Sequence, residues 1–233
     1  MKNLSVLLCL SLVMLSTPLV AADVCDDPPL AITNVRLFDG EAVSPGATVV
    51  TRCTTILSVA REGAALELPA GAVTIDGAGK TLLPGLIDTH THTWSIPMLE
   101  RPLDFGVTTV MGMGSTNRTF ATSMRDQRDQ GPARDRADLF AAVLWVTAPG
   151  SHGTQWAEVP TLVEPEEAAA FVKARVDDGA DYIKLIYDNF KMFDADIPTL
   201  KKETMEAVIQ AAHDQGVMAV VHSRDVEAWT DVV

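Results

Sequence analysis

The chain has 233 residues, 47% of them apolar and 21% charged, which is ordinary globular material with room for one large domain or two small ones. Its formal net charge of −13 argues against nucleic acid and against an anionic membrane surface as partners. It leaves the substrate open, because a cation-binding site opposes the net charge locally.

Residues 1–22 read as a signal peptide. Lys2 supplies a minimal basic start. Leu4 to Leu15 is mostly apolar and too short to span a bilayer. Pro18 breaks the run, and Val20-Ala21-Ala22 places small residues at the cleavage positions. Removal after Ala22 and export to the periplasm or the medium are expected, with no membrane attachment after cleavage; an uncleaved anchor is the competing reading. Leu8 before Cys9 is too large for a lipoprotein site. Two cysteines then remain, Cys25 and Cys53, an even count that allows one disulfide in an exported chain. Two free buried thiols are the alternative.

Residues 23–80 read as a small β module of sandwich type. Ala31 to Phe38 is a strand ending at the turn signal Asp39-Gly40. Ala47 to Val59 is rich in β-branched residues and splits in two around Arg52 to Thr54. Val73-Thr74-Ile75 is followed by Asp76-Gly77. The module is too small for a large core of its own.

From residue 81 to 233 the texture becomes strand, helix, strand, helix. Leu82, Leu83, Leu86 and Ile87 form an apolar run too short for a helix, read as a buried strand. It leads directly into Asp88-Thr89-His90-Thr91-His92. Further apolar runs follow at Val107 to Met111, Leu139 to Val146, Tyr182 to Tyr187 and Val217 to His222. Near-continuous apolar strands suit a parallel sheet covered by helices. The helix from Pro165 to Gly179 turns Ala168, Phe171, Val172 and Val176 inward, and the helix from Glu203 to Gln215 turns Met205, Val208, Ile209 and Ala212 inward. Another helix starts near Arg224. Five strands spaced roughly thirty residues apart fit a doubly wound sheet or a (β/α)₈ barrel. No Gly-x-Gly-x-x-Gly follows the first strand, which disfavours dinucleotide binding. A barrel needs about 250 residues; Gly85 to Val233 offers 149, about five of eight strands.

Residues two apart on a strand share a face, so His90 and His92 present two imidazoles side by side. Neutral imidazole is the commonest nitrogen ligand for zinc. A bare His-x-His in a polar loop is the competing reading. Lys184 lies inside an apolar strand, where alternation puts Tyr182, Lys184 and Ile186 on one face. A buried ammonium is costly without a partner. Three readings stay open: a salt-bridged core lysine, a Schiff-base nucleophile, or a lysine carboxylated by CO₂ whose carbamate bridges two cations. His222 ends the fifth strand. In a barrel, strand C-termini converge on one mouth. His152 and Trp94 are weaker substrate-binding candidates; a plain loop histidine and a packing tryptophan are the alternatives. His213, in the last turn of a helix, reads as solvated surface.

These motifs resemble those of the amidohydrolase superfamily of metal-dependent hydrolases. PGLIDTHTH at Pro84 to His92, GVTTV at Gly106 to Val110, TAPGSHG at Thr147 to Gly153, IKL at Ile183 to Leu185 and VVHS at Val220 to Ser223 occur in the family's order. The chain looks most similar to exported imidazolonepropionase-like and prolidase-like members. The resemblance implies that His90 and His92 hold one metal, that a carboxylated Lys184 bridges to a second, and that His222 binds the second. It implies one or two zinc ions and a bridging hydroxide that attacks the carbonyl of a small amide, dipeptide-like or cyclic amide substrate. It also implies a further histidine and a general-base aspartate, which lie beyond the chain end, so the catalytic residue is unknown. The chain is expected to be an incomplete fragment, poorly soluble or inactive alone, because an open part-barrel leaves a strand edge and apolar faces uncovered. A homo-oligomer is compatible with this. The rival functions are a Schiff-base lyase using Lys184 and a non-catalytic fragment.

Overall fold

The computed structural model describes residues 26–131, 133–156, 158–224 and 226–232. The expected signal peptide, 1–22, and Cys25 lie outside the described residues. Cys53 is disulfide-bonded. Among the described residues no helix is long and apolar enough to cross a membrane.

The described residues divide into two compact units, one of 26–37 with Val43–Leu82 and one of Phe38–Ala42 with 83–232. The first unit is a five-stranded sheet of β1 (Leu30–Phe38), β2 (Val43–Arg52), β3 (Thr55–Ala60), β4 (Val73–Asp76) and β5 (Thr81–Leu82). Its order is β3-β2-β1-β4, with β5 also paired to β1. β2 and β3 are antiparallel, and β4 and β5 run parallel to β1. The break expected near Arg52 falls between β2 and β3, where Cys53 takes φ +53°. Val35, Leu37, Ala47 and Val49 form the buried cluster. Among the described residues the expected sandwich shows one sheet, with Ile56, Leu57, Val59, Val73 and Ile75 exposed.

The second unit alternates strands and helices: β6 (Leu86–Thr91), α1 (Pro97–Leu103), β7 (Val107–Gly112), α2 (Arg118–Asp129), β8 (Asp138–Ala141), β9 (Trp145–Val146), α3 (Ala168–Asp177), β10 (Ile183–Ile186), α4 (Lys202–Asp214), β11 (Ala219–His222) and α5 (Val226–Val232). It is mixed α/β. Two parallel three-stranded sheets run β6-β7-β8 and β9-β10-β11. The helices α3 and α4 pack on one another and bury Ala168, Val172, Met205, Val208 and Ala212 against Ile183 and Leu185 of β10. That is the inward face read from helical periodicity. A 3₁₀ turn at Pro165–Glu167 precedes α3, so the proline opens the turn and not the α-helix itself.

Two expectations are corrected. The run Leu139 to Val146 is not one strand. Val143 adopts φ +62°, and this left-handed residue ends β8 and redirects the chain into β9 of the other sheet. Asp181 couples the two sheets, because its N–H donates to the Ala141 carbonyl at 2.8 Å and its Oδ2 accepts from the Ala141 N–H at 2.8 Å. The first strand is also not buried: Leu83, Leu86 and Ile87 are 46%, 49% and 60% exposed. Among the described residues β6 pairs along one side only, and α1 packs on β7.

Candidate active site

The C-terminal ends of β6, β10 and β11 open on one cavity of about 350 Å³, lined by His90, His92, Trp94, His152, Lys184 and His222 together with Met113, Ser115, Trp145, Trp156 and Ile186. All six candidate residues read from the sequence are therefore brought together. A neighbouring cavity of about 440 Å³ shares His90, Met113, Lys184 and His222 and is otherwise lined largely by Met111, Met218, Val220 and Val221.

The histidine pair arises from an irregular strand end. In the β6–β7 register, Asp88 faces Val110 and Thr91 faces Gly112, so β6 holds one extra residue between them. Such a bulge re-aims side chains and suspends simple alternation. The Asp88 carboxylate accepts the His90 N–H at 3.0 Å and fixes this turn of backbone. The outcome still sets the His90 and His92 rings together, edge to face, with centroids 5.7 Å apart.

Lys184 projects from the centre of β10 on the face shared with Tyr182 and Ile186, as alternation requires. It is 4% exposed. Among the described residues no carboxylate pairs with its amine, and burial lowers its pKa to about 8. The salt-bridged reading of Lys184 therefore finds no support. Burial, then the nearby Lys184 and His92, hold His90 below the usual histidine range against the pull of Asp88. Burial and Lys184 lower His222 likewise, with Asp188 opposing. Burial and then Arg224 lower His152. These imidazoles are neutral near pH 7, the form in which nitrogen binds metal.

Reading from the sequence left Asp188 without a role. The structure buries it just past β10. Burial alone would raise its pKa, but the Phe190 N–H at 2.8 Å, Arg224 and His222 together hold it below the usual carboxylate range. The His222 Nε2 lies 3.1 Å from its Oδ2, and Arg224 Nε bonds the same oxygen. Since an ionised carboxylate only accepts, Nε2 carries the proton and Nδ1 is the basic nitrogen of His222. Arg224 also stacks 3.9 Å from the Phe190 ring centroid. His152 sits against this group, 4.7 Å from Phe190 and 5.2 Å from His222 between centroids. Its Nδ1 is 3.0 Å from Gln155 Nε2. Trp94 is 55% exposed beside the cavity and is not packed into a core. His213 is exposed at the end of α4, as expected.

The donor set suits a divalent cation in kind, since the imidazoles of His90, His92 and His222 line one cavity, while the Lys184 ammonium beside them opposes a cation until it loses its proton. Among the described residues, no three His, Cys, Asp or Glu side chains converge closely enough to hold an ion. Lys184 adds a donor to this set only as an anionic carbamate.

No protein-family model matches the chain. It is 31% identical over 123 residues to a deacetylase of Brucella anthropi, covering 48% of this chain and 29% of the relative. It is 25% identical over 207 residues to a dihydroorotase of Trichlorobacter lovleyi, covering 83% of this chain and 43% of the relative. A putative prolidase from Bifidobacterium longum superposes with a TM-score of 0.68 at 25% identity, over 88% of this chain and 51% of that structure. The structure of an amidohydrolase superposes with a TM-score of 0.70 at 18% identity, over 87% and 58%. The chain thus spans less than half the length of these curated relatives and just over half that of the solved structures. The fold of this chain is that of the amidohydrolase superfamily, and the solved structures it resembles include prolidase-like members of it.

Proposed function

We propose that this protein is a metal-dependent hydrolase of C–N bonds in amides, dipeptides or cyclic amides. One observation carries the reading: neutral imidazoles from β6 and β11 and the buried Lys184 of β10 share a single cavity. The names of its relatives, a deacetylase, a dihydroorotase and a putative prolidase, are those of C–N hydrolases and support it. In this reading the two parallel sheets, with β8 and β9 as two pieces of one barrel strand, make up about five strands of a (β/α)₈ barrel, and the cavity is its mouth.

His90 and His92 would hold one cation and His222, with Lys184 once carboxylated, a second, and zinc suits nitrogen donors of this kind. Such a cation, when bound, supplies Lewis acidity, lowering the pKa of water and polarising a carbonyl. The chain's own residues do the rest. Asp188 holds the His222 proton on Nε2 and keeps Nδ1 free. Lys184, with a pKa of about 8, has neutral amine available near neutral pH to add CO₂, forming an N–C bond and releasing one proton. The start of the chain and the disulfide at Cys53 support an exported protein, periplasmic or secreted.

The test is zinc binding by the chain, read by competition with a chelating dye, because the chain alone is expected to be inactive. Binding that His90→Ala or His222→Ala weakens is expected; no binding, or binding indifferent to both substitutions, overturns the reading. The unpaired, easily deprotonated Lys184 also favours a second reading, a Schiff-base lyase. Borohydride trapping of a substrate on Lys184 would establish that one instead.

A further inference from the structure

The cavity that gathers the histidines has a second property: its walls are aromatic. Trp94, Trp145 and Trp156 line it, with Met113 and Ile186. They are three of the four tryptophans in the chain. Trp145 is buried, and Trp156 stands perpendicular to it at 6.4 Å between ring centroids. Trp156 and Trp94 are themselves 66% and 55% exposed. Two indoles held in water at the rim of one concave site are apolar surface waiting for a ligand.

The backbone is shaped to admit the buried ring. Gly153 has φ +100°, and a Cβ there would stand 2.3 Å from Trp145 Nε1. Gly114 has φ +110°, and a Cβ there would stand 2.4 Å from Cε3 of the same ring. Any larger residue at either position displaces the indole that floors the cavity. The polar groups on this lining are imidazoles, one hydroxyl and the Lys184 amine, with no carboxylate among them. A substrate with a protonated amine finds no anion there, whereas an acylated one needs none.

We propose that this wall is a specificity pocket for the aromatic side chain of an N-acylated amino acid or its amide. The position of the scissile bond rests on the C–N hydrolase reading; the binding itself does not.

The experiment is a fluorescence titration of the full chain carrying Trp229→Phe, so that all remaining tryptophan emission arises at the cavity. The ligands are N-acetyl-L-phenylalaninamide and N-acetylglycinamide. A saturable change is expected with the first, and affinity at least roughly tenfold weaker with the second, which corresponds to about 1.4 kcal/mol. Trp94→Ala and Trp156→Ala remove exposed side chains and leave the core intact, and each should bring the ratio toward one. Equal affinities, no binding of either ligand by the folded chain, or an undiminished ratio in both variants overturns the pocket. Zinc binding by the same chain is measured separately. Discrimination between the two ligands without zinc binding removes the hydrolase reading and keeps the pocket. Zinc binding with equal affinity for the two ligands does the reverse.

Discussion

The imidazole of His222 donates from Nε2 to the Oδ2 of Asp188 at 3.1 Å, and that carboxylate is 2% exposed. One oxygen thus serves both His222 and Arg224. Asp188→Asn removes the charge that fixes the imidazole tautomer and leaves Arg224 without its anion. Zinc affinity should fall roughly tenfold to a hundredfold, as for other carboxylates behind a ligating histidine. Stability should fall by roughly 2 kcal/mol, less than for a fully buried pair because Arg224 retains some solvent. Competition with a chelating dye and urea unfolding read the two effects.

Lys184 sets a pH dependence in the metal-free, CO₂-free protein. Burial brings its pKa from an ordinary 10.5 to about 8. Between those values the unfolded chain binds more protons than the folded one, so stability rises with pH across that window. Below about pH 8 both states hold the proton, and the cost of burying the cation is present in full. Lys184→Met should abolish the rise and stabilise the protein at pH 7, by up to about 3 kcal/mol. Urea unfolding at pH 7, 8.5 and 10 on both proteins checks the slope.

Asp181 holds the sheets together through two ladder-like bonds to Ala141 and through Arg128 at 2.7 Å and Arg125 at 3.4 Å. Asp181→Ala leaves the Ala141 N–H without its acceptor and two partly buried guanidinium groups without their carboxylate, although Arg125 keeps the Gly179 carbonyl and Arg128 that of Leu139. A loss of roughly 2–4 kcal/mol is expected in denaturant unfolding. The Asn variant, which retains an acceptor oxygen, should lose less.

Gly153→Ala forces a Cβ into the indole of Trp145 at a backbone angle that L residues rarely adopt. Strain and overpacking together predict a loss of roughly 2–4 kcal/mol. Near-UV circular dichroism should change with it, since Trp145 and Trp156 form a perpendicular pair.

Periodicity alone located much of this molecule. Alternation assigned Lys184 and Ile186 to the face that lines the cavity, and helical spacing found the buried sides of α3 and α4. Both are local properties, carried by neighbours a few residues apart. What was not legible depends on distant partners. The exposure of Ile87 depends on what covers its face of the sheet, not on the composition of β6. The role of Asp188 comes from His222, 34 residues further on. The sheet switch at Val143 was hidden because a β-branched residue gives no signal for a left-handed angle. The helices α1 and α2 went unread as well, although Asn117, whose side chain accepts the Phe120 N–H at 2.9 Å, is a recognisable start for α2.

Among the described residues, β6 is tied to a neighbour along one side only, through β7. Its outward amides can trade protons with solvent without any opening of the sheet, so deuterium uptake at 86–91 should outpace uptake at 107–112. The histidine pair therefore sits at the end of a strand paired along one side among the described residues. A cation held by His90 and His92 would slow that uptake, which makes isotope exchange a gauge of site occupancy that needs no turnover.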